Sequence, residues 1–156
     1  MRVLFMCTAN SCRSILSEAM FNHLAPPAFE AVSAGSFPKG LVLPRSLTTL
    51  QAAGISIDGL SSKGNDAFED NPPDIVITVC DKAAGEACPV YFGPALKAHW
   101  GLEDPSDVRG DERTIDAAFR ATLAQIETRC RAFLALPFAE LDRDALKREL
   151  DRISTL

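Results

Sequence analysis

Apolar positions in this chain follow two rhythms: short continuous runs, and longer stripes that step by three or four residues. Residues 2–6 carry Val3, Leu4, Phe5 and Met6 in succession, too few for a helix. The run predicts a strand buried on both faces. Residues 74–79 (DIVITV) repeat that pattern most clearly, and residues 29–34, closed by Gly35, and 95–100 predict two further strands. Between the runs, Ile15, Ala19, Met20 and Leu24 fall near helical spacing over 14–24, and Pro26-Pro27 ends that helix. Pro44 and Gly54 bracket a second helix over 44–53. A third runs over 111–136. Its stripe of Ile115, Phe119, Leu123, Ile126, Cys130 and Phe133 steps by four, four, three, four and three before Pro137. A charged amphipathic tail over 142–153 predicts a last short helix, and residues 80–94, rich in Gly, Ala and Pro, read as irregular.

Strands alternating with helices imply a parallel sheet with right-handed crossovers. The expected fold is a three-layer α/β/α sandwich on a four-stranded parallel sheet, one domain over 1–156 with 137–156 as a C-terminal helical extension. A chain of 156 residues can bury a real core. Its net charge of -5 argues against broad binding to nucleic acid or anionic membrane, so any anion must be held by a focused site. No apolar run approaches the ~20 residues of a membrane span, and the first run is shorter than the ~7–15 of a signal h-region. The expectation is a cytoplasmic monomer.

The five cysteines are Cys7, Cys12, Cys80, Cys88 and Cys130. An odd count in a reducing compartment speaks for reactive or buried thiols and against a disulfide framework. Cys80, Cys88 and the following His99 lack the tight paired spacing of structural zinc sites, so no metal is expected. Cys130 lies on the apolar stripe of the long helix and reads as core. Cys7 is different. In CTANSCRS it opens a strand-to-helix loop, where ligands bind in open parallel sheets. Backbone amides of Thr8, Ala9, Asn10, Ser11 and Cys12 and the helix start can surround a tetrahedral oxyanion. Arg13 adds a permanent charge and a planar fork. The same donors, with the Ser14 hydroxyl, favour a thiolate at Cys7. A lone cysteine at a strand end is commonly just a small buried hydrophobe. The arginine six residues on favours the chemical reading. Cys12 stays open between loop packing and a thiol that shields Cys7 from irreversible oxidation.

C-x5-R-S at this position resembles the anion loop of the low-molecular-weight protein tyrosine phosphatase-like family, and its form here is similar to the arsenate reductases built on that fold. The resemblance runs to about residue 135. It implies Cys7 as nucleophile, residues 8–14 as the oxyanion site, and Asp104 of Asp104-Pro105 as general acid for the leaving oxygen. The segment from Cys80 to Cys88 resembles the redox loop of thioredoxin-linked arsenate reductases, with one residue more between its cysteines. A phosphatase needs one thiolate, whereas a reductase must return two electrons through thiols that exchange partners. The implied relay is Cys7 to Cys80, then Cys80 to Cys88, recharged by thioredoxin or by glutathione and glutaredoxin, with no tightly bound cofactor. The alternative is a phosphatase of phosphomonoesters working through a cysteinyl-phosphate. Such phosphatases carry an aromatic residue after Asp-Pro. Here Ser106 and Asp107 follow, and Tyr91 is the one tyrosine, so a small bare oxyanion fits better. His99-Trp100 is expected to pack this loop in place. Some family members hold a potassium ion. Asn10, Glu18 and Ser33 match its positions, but the expected acidic partner falls near Lys63, which argues against the ion here.

Overall fold

β1 (Arg2–Cys7) is apolar on both faces beyond Arg2 because it lies inside the sheet, with Val3, Leu4 and Phe5 fully buried. The computed structural model describes residues 1–86 and 89–156. β1 is flanked by β2 (Glu30–Gly35) and β3 (Ile75–Thr78), and β4 (Leu96–His99) lies beyond β3. All pairings are parallel and the strand order is β2-β1-β3-β4. The chain steps from β1 to one side and later from β3 to the other. With right-handed crossovers, the connections before and after this reversal cover opposite faces. The carboxyl ends of β1 and β3 therefore rim a topological switch point, the crevice where open sheets of this kind bind ligands.

The helices are α1 (Arg13–Leu24), α2 (Pro44–Ala52), α3 (Asp81–Ala84), α4 (Glu112–Leu134) and α5 (Arg143–Ile153). Four of them follow the periodic stripes. The fifth, α3, stands inside the segment that composition marked as irregular. Four residues are too few to show a period, and α3 owes its start to a local cap, the Cys80 sulfur accepting from the Ala83 amide at 3.4 Å. On α4 the stripe from Phe119 to Phe133 is buried, and Cys130 is a core thiol pushed up to about 12 by burial. Phe133 packs against Phe21 and Trp100, with ring centroids 5.6 and 6.2 Å apart.

α5 covers the outer strand: Leu150 and Ile153 are fully buried, and Trp100 Nε1 donates to the Leu150 carbonyl at 3.0 Å. Trp100 thus belongs to the core under α5. Buried Arg129 donates to the carbonyls of Gly101, Ser154 and Leu156, satisfying the end of α5 and the segment leaving β4 together.

Gly35 ends β2 directly beside the loop that follows β1. A Cβ there would sit 2.4 Å from the Thr8 carbonyl oxygen and 3.0 Å from the Asn10 nitrogen. Both neighbours are backbone and cannot swing away. Gly35→Ala is expected to lower stability by about 1–3 kcal/mol and to displace the loop. Thermal melts with and without phosphate check both effects: the melting point falls and the phosphate-induced rise shrinks.

Candidate active site

The loop after β1 turns its carbonyls outward. Those of Thr8, Ala9 and Ser11 accept from the amides of Phe37, Lys39 and Leu43 at 2.9, 3.0 and 3.0 Å. Among the described residues, none of the amides of residues 9–13 donates to a carbonyl, so the loop presents a row of donors at the start of α1. Among the described residues, Asn10 is the non-glycine residue that takes a positive φ, 48°, and its buried side chain holds that strained turn. Its Nδ2 donates to Ser14 Oγ at 2.8 Å and Ser33 Oγ at 3.0 Å, and its Oδ1 accepts from the Lys63 amide at 2.9 Å. Ser33 in turn donates to buried Glu18 at 2.7 Å. Lys63 Nζ stands 3.8 Å from the same Glu18 oxygen.

A protein cation therefore faces Glu18 beneath the loop. Burial pushes the Glu18 carboxyl up, while Ser33 and Lys63 draw it back down. Among the described residues no group of three or more metal-ligating side chains gathers.

Arg13 is anchored at two points: it donates to the Leu102 carbonyl at 3.1 Å and to Asp104 Oδ2 at 3.4 Å. Its Nε is buried without a partner among the described residues, a donor free for an oxyanion. Asp104 Oδ1 accepts from the Ser106 amide at 2.9 Å and hydroxyl at 2.6 Å. The carboxyl is thus fixed beside Arg13 by the residue that stands where an aromatic was looked for.

Cys7 and Cys80, 5% and 3% exposed, close the site from the two strand ends, near enough that each thiol shifts the other. Thr8 Oγ1 lies 3.6 Å from the Cys80 sulfur. Cys80 is lowered to about 5, first by the bond from Cys7, with help from the amides of Ala83 and Thr8 and against its burial. That same bond holds Cys7 far up, aided by burial and by the charge on Cys80, while Arg13 and the Thr8 amide pull the other way. Taken together, the pair carries one proton and one negative charge at neutral pH. Burial pushes Cys12 up to about 11, while Ser46 draws it part of the way back.

Cys7 and Arg13 of the loop thus meet Cys80 and Asp104, distant in the chain, at one sheet edge. Cys88 lies outside the described residues. Ser14 Oγ accepts from Asn10, which leaves its hydroxyl proton free to donate, and His99 faces Thr78 and Asp81 with its ring against Gly101. The spacing pattern missed the roles of Gly35, Lys63 and Ser106, and the bracing of the loop by residues 36–43. Gly35 had a faint signal, a glycine closing a strand beside the cysteine loop.

A cysteine–arginine anion loop at the switch point of a β2-β1-β3-β4 sheet defines a class, and the chain belongs to it: the low molecular weight phosphotyrosine protein phosphatase family, whose model matches residues 2–149. Within that family, the similarity runs to arsenate reductases. The arsenate reductase of Bacillus subtilis is 31% identical over 131 residues, 84% of this chain and 93% of its own. A solved arsenate reductase in the phosphate-binding state superposes with a TM-score of 0.71 at 27% identity, covering 86% of this chain and 96% of that one. A thioredoxin-dependent arsenate reductase of Corynebacterium glutamicum gives 0.58 at 26%, over 83% of this chain and 61% of that one.

Proposed function

We propose that this chain reduces arsenate to arsenite through its own cysteines and draws two electrons from an external dithiol. One observation carries the reading: a second buried thiol, Cys80, stands close enough to Cys7 that the two titrate together, with Arg13 acting on Cys7 as well. Hydrolysis has no use for it.

Arsenate binds to the loop amides and Arg13. The proton of Cys7 passes to Cys80, so that the pair's single negative charge stands on Cys7. The Cys7 thiolate attacks arsenic, and an oxygen leaves as water with a proton from Asp104. Cys80 then attacks the Cys7 sulfur. A Cys7–Cys80 disulfide forms, the sulfur–arsenic bond breaks with its electron pair going to arsenic, and arsenite departs. Cys88 attacks Cys80, forming Cys80–Cys88 and releasing Cys7 as a thiolate. A dithiol protein of the thioredoxin type reduces that last disulfide, a choice supported by the thioredoxin-dependent relative. Free thiols of this kind persist in a reducing compartment, which favours the cytoplasm. Among the described residues no helix is long and apolar enough to cross a membrane.

The test supplies arsenate with thioredoxin, thioredoxin reductase and NADPH, with glutathione and glutaredoxin in a parallel arm, and an aryl phosphate in a third. Expected is NADPH consumption matched by arsenite, with aryl-phosphate hydrolysis far slower. Rapid aryl-phosphate hydrolysis with no arsenite in either reducing arm makes the chain a phosphatase.

A further inference from the structure

On the far side of Cys80 stand three polar residues that the chemistry above does not use. Thr78 ends β3, His99 ends β4, and the strand register sets them side by side. His99 Nδ1 lies 2.7 Å from the Thr78 hydroxyl and 3.1 Å from the Thr78 carbonyl. Its Nε2 lies 3.0 Å from Oδ1 of Asp81, the first residue of α3. Space for this contact is made by Gly101, where a Cβ would sit 2.9 Å from His99 Nε2.

Little else ties α3 down. Ala83 is its one buried side chain, and a cavity of about 280 Å³ lies against it, lined by Met6, Val76, Thr78, Ala84, His99 and Lys147. A helix that short, resting on empty space, is not held by packing. Lys82 reaches the Phe37 ring at 6.0 Å, a loose contact on the surface. Among the described residues, the Asp81–His99 contact is the side-chain hydrogen bond from α3 itself to the sheet, beside the hold of Thr8 on Cys80 at the N-cap.

The relay, on which this inference rests, makes two opposed demands on α3. Cys80 must be presented to Cys7 for the first exchange. It must then reach Cys88, eight positions on, with the two Cα atoms within about 7 Å. We propose that His99 is a positioning residue: it pins Asp81, and through it the α3 segment, so that Cys80 rests against Cys7 until the second exchange pulls the segment free. A single contact with its carboxylate 99% exposed suits this duty. Such bonds change an equilibrium by about two- to fivefold, enough to bias a segment and too little to lock it.

The experiment measures alkylation of Cys80 by iodoacetamide in the full reduced chain. Cleavage after Lys82 separates the Cys80 peptide from that of Cys88. Expected are increases of about two- to fivefold in Cys80 alkylation for His99→Ala and for Asp81→Ala alike, and no further increase in the double variant. His99→Gln, whose amide can donate to Asp81 and accept from Thr78, restores the wild-type rate. Asp81 is on the surface, so its variant folds even where His99→Ala does not. Unchanged alkylation in Asp81→Ala, additive effects in the double variant, or a glutamine that behaves like alanine overturns the proposal. Alkylation needs no arsenate, so the fastening is judged separately from the reductase reading.

Discussion

Replacing Cys7 with serine is expected to lower arsenate turnover by about four orders of magnitude or more. A serine hydroxyl does not ionise near neutral pH, and neither Arg13 nor the loop amides can make it a nucleophile for arsenic. Binding should survive. The donors of residues 9–13 and Arg13 Nε do not depend on the sulfur, so phosphate should still raise the melting temperature of Cys7→Ser. The variant also reports on its neighbour. Cys80 sits at about 5 chiefly because Cys7 donates to it; serine keeps a hydroxyl donor at that position, so Cys80 stays well below the ordinary thiol range in the variant. Thiolate ultraviolet absorbance followed against pH reads this directly. In the wild type the pair keeps its charge at neutral pH and gains its second proton as the pH falls through about 5. Turnover is therefore lost on the acid side of that value, and a rate that stayed flat well below it would contradict the shared proton.

Cys80→Ser is expected to stop arsenite release by at least about three orders of magnitude while leaving the first attack possible. Without a second sulfur, the electron pair of the sulfur–arsenic bond has no route to arsenic, and the adduct on Cys7 can only return to arsenate. The cause that most raises Cys7 disappears in this variant, because its hydrogen bond to Cys80 is the largest influence on it. Cys7 should then be more fully ionised under Arg13 and the Thr8 amide, and iodoacetamide should modify it faster than in the wild type. Slow arsenite formation paired with fast Cys7 alkylation separates a missing relay partner from a damaged loop. Arsenite production near the wild-type rate, with either reductant, removes Cys80 from the mechanism.

The parts of this site differed in how far they could be read from the chain. The β1 and β3 runs, the stripe on α4 and the capped ends at Pro44 and Gly54 rest on local periodicity and turn chemistry, and the structure matches them to within a residue or two at most ends. Cys7 and Arg13 were legible for the same reason, since a loop of five intervening residues brings its own ends together. Asp104 and Cys80 came from resemblance, supported by the expectation that parallel strands deliver their following residues to one edge. α3 was illegible because a helix of four residues has no period and depends on a sulfur cap. Lys63 beneath Asn10 and His99 on Asp81 were illegible because each contact joins elements that local sequence does not relate, whereas Ser106 on Asp104 is a local cap two residues long that the spacing pattern passed over.

By itself the sequence determined which segments pair or coil, that they alternate, and that an activated thiol meets an oxyanion at the end of the first strand. Those properties are local: they follow from side-chain period, chain stiffness and a short loop. The tertiary structure decided that β1 and β3 are neighbours, so that two sulfurs 73 positions apart share one proton. It also decided that a lysine stands at the buried carboxylate under the loop, and that a histidine meets the first residue of the helix that follows Cys80. Strand order and register fix those distances, and they arise from packing the whole core.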